Sequence, residues 1–324
     1  MILDYYKLRE QPFGATPDSR FLFASETHRE ALASLLYGVA AGRGFVALIA
    51  MPGMGKTTLL FESMRKLRGS TKTVFLFQTI SSPLEFLTAL LADLGFQETQ
   101  GGLIALQAKL NEILVEQARR GERLVVVIDE AQNLDDSVLE FARMLSNFET
   151  EQQKLVQIIL SGQPQLAAKL ASPQLMQLRQ RISMVAYLRP LSVEEVGLYV
   201  AHRLRVAGHR SDKPLFTSAA LQLIARHSRG IPRNINNLCF NAMSLGCALK
   251  RNMIDVEVIR EVIGDLDLAP EKFLETASGH KRKRFIFSTF VPAVKRKLGG
   301  WISILGFAGA VLFVTGWILI DAIR

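Results

Sequence analysis

Nine consecutive residues, Ala50-Met-Pro-Gly-Met-Gly-Lys-Thr-Thr58, set two glycines, a lysine and two hydroxyls where an apolar run gives way to a helical pattern. Glycines let backbone N–H groups approach a phosphate closely, and the start of a helix behind them adds partial positive charge. The spacing is that of the phosphate-binding P-loop, with Ala50 where the first glycine belongs. Pro52, Gly53, Met54, Gly55, Lys56, Thr57 and Thr58 are therefore the expected nucleotide contacts. Lys56 would neutralise the β- and γ-phosphates, and the Thr57 hydroxyl would bind Mg²⁺. Further along, five aliphatic residues lead into an acid pair, Leu124-Val-Val-Val-Ile-Asp-Glu130. Asp129 at the end of such a run suits the Mg²⁺ shell, and Glu130 suits the polarisation of an attacking water. A lone Gly/Lys turn or a lone acid pair has ordinary surface readings. In this order, each at the end of an apolar run, they point to hydrolysis of a nucleoside triphosphate.

These residues need elements to hold them. Helical spacing over Thr27–Ala41 precedes an apolar run, Phe45–Ala50, and a helix starts at Lys56. Further strand-like runs cover Thr73–Gln78, Leu124–Asp129, Leu155–Ser161 and, as a fifth, Ser183–Leu188, with amphipathic stretches at 83–94 and 103–119. Short strands that stay apolar throughout, separated by helices, predict a parallel sheet covered on both faces, an α/β domain over 1–190. From Ser192 the pattern is helical only: Val193–Val206, Ser218–Arg229, Pro232–Leu249 and Val256–Leu266. Ser192 with Glu195 is a capping box, and Pro232 suits a first helical turn. A helical domain over 191–267 is expected, then a basic linker over 268–300.

Seven segments in order resemble the general secretion pathway protein A (ExeA) family of AAA+ ATPases, over about residues 4–265: YYKLREQPFGATPDSRFLF, HREALASLLYGVAAGRGFVAL, the P-loop, DEAQNL, SGQPQL, LRQRI and GIPRNINNL. The resemblance implies an AAA+ P-loop NTPase with a five-stranded core and a helical lid. It implies ATP bound between neighbouring subunits of a homo-oligomer, and service to an envelope machine such as a secretion channel, pilus or exopolysaccharide exporter. Carried over motif by motif, Gln163 matches a sensor of the γ-phosphate, with Ser161 as runner-up. Arg181 matches the arginine finger aimed at the next subunit's ATP, with Arg179 as second candidate. Arg233 in Gly-Ile-Pro-Arg matches the sensor arginine of the lid. Ala50 departs from the family's glycine, and Met51, Pro52 and Met54 stand where polar or small residues are usual in it, which would alter affinity or slow turnover.

Composition narrows the remaining classes. The chain has 324 residues, 49% hydrophobic and 21% charged, with two cysteines, so whole-chain disorder and a disulfide scaffold are excluded. The five histidines, 28, 202, 209, 227 and 280, lack metal-ligand spacing with the cysteines. The net charge of +9 is concentrated: residues 281–324 carry +7, leaving +2 for 1–280. That near-neutral body argues against nucleic acid as a partner and against the rival reading, a DNA-handling ATPase for transposition or replication. Trp301–Ile320 is uncharged and long enough for a bilayer, so one C-terminal transmembrane helix is expected. The bases before it predict an ATPase body in the cytoplasm at the inner membrane, no signal peptide, and contact with anionic lipid. Ending four residues later, the chain is expected to reach the cell wall only through a membrane-protein partner. A nucleotide-switched scaffold with slow turnover is the second rival.

Overall fold

Every one of the five strands is parallel to its neighbours, in the order β2-β3-β4-β1-β5. In the computed structural model they are β1 (Phe45–Ile49), β2 (Thr71–Leu76), β3 (Arg123–Ile128), β4 (Val156–Gly162) and β5 (Ile182–Tyr187). The structure describes residues 2–266 except 70, 78–79, 97–100, 152 and 212. These residues fall in one compact unit, Met1–Leu268.

Alternation within the strands explains why their sequences are apolar throughout. Phe45 and Ile49 of β1 and Leu124, Val126 and Ile128 of β3 enter one core. The intervening Val46, Leu48, Val125 and Val127 enter another on the opposite face. A sheet buried on both sides has no polar face to show.

Among the described residues, twelve α-helices surround and extend this sheet. Before and between the first strands lie α1 (Ile2–Tyr5), α2 (Glu26–Ala40) and α3 (Lys56–Leu67). Then come α4 (Pro83–Asp93), α5 (Leu103–Arg119), α6 (Asp136–Leu145), α7 (Pro164–Leu170) and α8 (Met176–Arg181). Leucines of α2 and α3 build the core that holds Val46 and Leu48, whereas α4, α5 and α6 cover the other face.

Beyond β5 the described residues form the helices α9 (Val193–Val206), α10 (Ser218–Ser228), α11 (Pro232–Ala248) and α12 (Val256–Leu266), with one isolated bridge between Phe216 and Ile254. Ser192 and Glu195 form the reciprocal capping box at the start of α9, satisfying two orphan N–H groups of its first turn. This helical cluster has its own core, and the N-terminal residues Tyr6, Leu8, Phe13 and Phe21 belong to it. The sequence reading groups those residues with the sheet domain; their packing joins them to the helices.

The expected C-terminal transmembrane helix, and the single-pass inner-membrane placement built on it, are not upheld. Among the described residues no helix is long and apolar enough to cross a membrane. The longest, α5 and α11, have 17 residues each, against about 20 apolar residues for a bilayer core. Each also has a polar face suited to packing on one side only. Residues 301–320, the basic linker over 268–300 and the lipid contact expected there lie outside the described residues.

Candidate functional site

Three chain segments meet at the carboxyl edge of the sheet, where open α/β sheets bind ligands. The turn 50–55 follows β1, the acid pair follows β3, and Ser161 and Gly162 end β4 with Gln163 just beyond. Because β4 lies between β3 and β1, residues far apart in sequence become neighbours here.

The phosphate-binding turn owes its shape to two glycines. Gly53 and Gly55 have φ of +80° and +85°, a region open to glycine at little cost. At Gly53 a Cβ would also lie 2.7 Å from Arg233 Cβ. Ala50, by contrast, has no positive φ and is buried beside the strand, so its methyl is accommodated. Met54 is buried in the core under α2 and α3. His28 Nε2 lies 3.1 Å from the Met54 carbonyl, and burial lowers the pKa of this imidazole.

Lys56 starts α3 and is 6% exposed, with Nζ 3.6 Å from Glu130 Oε1. The Thr57 hydroxyl donates to Asp129 Oδ2 at 2.7 Å. Asp129 Oδ1 accepts from the Ser161 hydroxyl at 2.8 Å and from the Glu130 N–H at 3.0 Å. Glu130 Oε2 accepts from Gln132 Nε2 at 2.6 Å and from Gln163 Nε2 at 2.9 Å. Burial pushes the Glu130 carboxyl toward its neutral form, but the donors Gln132, Gln163 and Lys56 outweigh it and hold the pKa below the ordinary value. Glu130 is therefore an ionised carboxylate at neutral pH with one oxygen fixed by two amides.

These groups open onto a cavity of about 410 Å³. Pro52, Gly53, Met54, Gly55, Lys56, Thr57 and Thr58 line one side, with Glu130 and Gln163 beside them. Residues 14–18, together with His28, Tyr199, Arg203, Arg233 and Asn236, are among the others that line it. Arg233 sits in the first turn of α11, and its backbone N–H donates to the Gly53 carbonyl at 3.1 Å. Arg179 and Arg181 stand apart: both are exposed in the last turn of α8, before the edge strand β5, and neither lines the cavity.

Several contributors carry no signal of their own in the sequence. Gln132, inside the DEAQ run, ties Glu130 to Gln163 by accepting from the Gln163 N–H at 3.1 Å. Tyr199 donates to Asn236 Oδ1 at 2.8 Å and accepts from Arg203 at 3.0 Å, so this wall is a hydrogen-bonded chain across two helices. His28 is one of five scattered histidines without metal-ligand spacing, and its contact with the Met54 carbonyl is visible only in the fold.

The geometry fits a nucleoside triphosphate with its metal ion. A buried ammonium, a helix N-terminus and two left-handed glycines suit phosphate oxygens. A hydroxyl paired with a carboxylate suits Mg²⁺, which commonly takes few protein ligands and completes its shell with phosphate and water. Among the described residues no cluster of three histidine, cysteine or carboxylate groups could hold a metal without a nucleotide.

Comparisons with known proteins agree with this arrangement. The AAA domain family matches residues 39–170, the stretch that contains the P-loop, the acid pair and Gln163. General secretion pathway protein A of Aeromonas hydrophila is 36% identical over 98% of the chain. The chain spans about half of that relative's length, 53%. Among solved structures, Cdc6p of Pyrobaculum aerophilum superposes with a TM-score of 0.62 at 18% identity, covering 81% of this chain and 73% of that one. ORC2 of Aeropyrum pernix, in ADPNP–ADP complexes, gives 0.59 at 14% identity, covering 79% and 71%. At such identities the superpositions speak for the fold alone. Nearly the whole sequence, with its motifs in order, thus identifies a protein like general secretion pathway protein A, built on an AAA domain.

Proposed function

We propose that the chain is a Mg²⁺-dependent ATPase of the AAA+ class that acts as a homo-oligomer, with ATP at subunit interfaces, in a cell-envelope machine for secretion, pilus assembly or exopolysaccharide export. The observation that carries the chemistry is the convergence of Lys56, Thr57 and Glu130 at one cavity, with Asp129 bonded to Thr57 behind them. The envelope role rests on the similarity to general secretion pathway protein A.

In this reading the P-loop amides and Lys56 bind the phosphates, and the Thr57 hydroxyl with Asp129 holds the metal ion. Bound Mg²⁺ would supply charge neutralisation at the transferred phosphate. Glu130, kept ionised and aimed by Gln132 and Gln163, accepts a proton from the attacking water. Gln163 senses phosphate occupancy through the same contact, and Ser161 can do so through Asp129. Arg233 closes the helical cluster over the nucleotide as a lid. Arg181, or its neighbour Arg179, faces solvent in its own subunit and acts on ATP held by the next. A positioned arginine of this kind is worth ~10³–10⁵ in rate, so turnover should rise with assembly.

Turnover and binding measured on two variants test the reading. Glu130→Gln should bind ATP like the parent and lose about 10²-fold or more of its turnover, whereas Lys56→Ala should lose binding. Unchanged turnover in Glu130→Gln would reject the assignment. Affinity capture of partners by the two variants, read by mass spectrometry, tests the envelope role. Envelope components should accompany only the ATP-holding variant. Recovery of DNA and recombination proteins would favour a DNA-handling ATPase. Cellular function surviving Glu130→Gln would favour a nucleotide-switched scaffold.

A further inference from the structure

Two successive carbonyls of the phosphate-binding turn are held from outside it. The Gly53 carbonyl accepts from the Arg233 N–H of α11, and the Met54 carbonyl faces His28 Nε2 at 3.1 Å. His28 lies in the first turn of α2 and is 4% exposed. Its other ring nitrogen, Nδ1, is 2.7 Å from Ser25 Oγ.

The partners decide the tautomer. A carbonyl can only accept, so Nε2 carries the hydrogen and Nδ1 receives the Ser25 hydroxyl. Ser25 Oγ in turn accepts from the His28 backbone N–H as the N-cap of α2. The ring is thus aimed by the cap of its own helix. It also packs on the turn: a Cβ added at Gly55 would lie 3.7 Å from Nε2.

Holding a carbonyl orients the amide that follows it. The described peptide bonds are trans, and in a trans unit C=O and N–H point in opposite directions. A Met54 carbonyl drawn toward α2 turns the Gly55 N–H away from α2. Met54 sits between two glycines of positive φ, where the backbone has the greatest freedom to rotate. Without an outside hold, these peptide units would reorient at little cost.

We propose that His28 is a positioning residue of the nucleotide site, whose imidazole N–H clamps the Met54 carbonyl and thereby presets the Gly55 amide for phosphate. It lines the cavity but acts through the main chain of the turn, by its contact with the Met54 carbonyl. The proposal rests on the nucleotide-binding reading given above.

The test is an equilibrium titration of the full chain with a fluorescent ATP analogue, with steady-state turnover and melting temperature measured on the same samples. His28→Phe keeps an aromatic ring but has no donor, and its Kd should rise about 10-fold, the scale of leaving a buried carbonyl unpaired. His28→Gln retains an N–H that can reach, and its Kd should stay within about 3-fold of the parent. Because preorganisation of the turn serves ground state and transition state alike, KM should rise with kcat nearly unchanged. If His28→Phe fails to fold, Ser25→Gly carries the test, since glycine is nearly neutral at an N-cap. Its loss of the hydroxyl on Nδ1 should weaken binding about 3-fold.

Parent-like affinity in His28→Phe, or in Ser25→Gly where that variant is needed, overturns the proposal. Equal weakening in His28→Phe and His28→Gln also overturns it, since ring volume alone would then be at work. A parent chain that fails to bind the analogue rejects the nucleotide reading itself, which separates that failure from this one.

Discussion

Glu130 adopts a backbone conformation uncommon for a residue with a side chain, at φ +51°. Such conformations persist where surrounding contacts over-determine them, and they concentrate at functional sites. Here the contacts are visible: the backbone N–H is held by Asp129, and the carboxylate by Gln132 and Gln163. The same two amides help to depress its pKa against the opposing effect of burial. Removing either donor therefore raises the pKa, and the acid limb of a pH–rate profile should move to higher pH. For Gln132→Ala we expect that displacement together with a fall in turnover. An acid limb left in place would mean that Gln132 does not tune the carboxylate.

At the scale of elements, the turn between β1 and α3 makes different demands at positions 50 and 53. Gly53 needs its left-handed φ and has no room for a methyl beside Arg233. Gly53→Ala should cost about 1–2 kcal/mol from conformation alone, with further loss from the crowding, and should weaken nucleotide binding. Position 50 has neither requirement. Ala50→Gly, which restores the usual P-loop residue, should destabilise by only about 0.5–1 kcal/mol through chain entropy and leave turnover close to the parent. Thermal melts with matched nucleotide titrations check both. A large gain in turnover for Ala50→Gly would show that the departure limits the enzyme after all.

At the largest scale the structure describes, the first residues of the chain are tied into the helical cluster. Tyr6, Leu8, Phe13 and Phe21 are buried in the core of the helical cluster. The Arg9 N–H donates to the Ala207 carbonyl at 2.8 Å, and Arg203 donates to the Pro12 carbonyl while stacking over Phe21. Residues 14–18 then pass along the cavity wall. At about 1.5–3 kcal/mol for each large apolar side chain, these four contribute on the order of 6–12 kcal/mol, comparable to the entire stability of a typical domain. Deleting residues 1–23 should therefore loosen α9–α12 and abolish nucleotide binding together. Hydrogen exchange across 193–266 would reveal it, and unchanged protection there would contradict the account.

The strands were legible because burial on both faces leaves unbroken apolar runs, and the P-loop and acid pair were legible because both motifs are local in sequence. Ends of elements slipped by a residue or two, as at Thr73–Gln78 against Thr71–Leu76, since fraying ends carry weak patterns. Short helices such as α7 and α8 lacked the length to show a period. The expected membrane helix rests on the length and lack of charge of Trp301–Ile320 and on the bases before it, and no described helix is long and apolar enough to cross a membrane. The sequence by itself determined the residue types, the order of the motifs and the alternation that builds the sheet, because each of these depends on near neighbours. Strand order belongs to tertiary structure, because inserting β4 between β3 and β1 is what brings Gln163 onto Glu130 and Ser161 onto Asp129. The same is true of His28 at the Met54 carbonyl and of the N-terminal residues in the helical core, contacts made across long separations that no local pattern encodes.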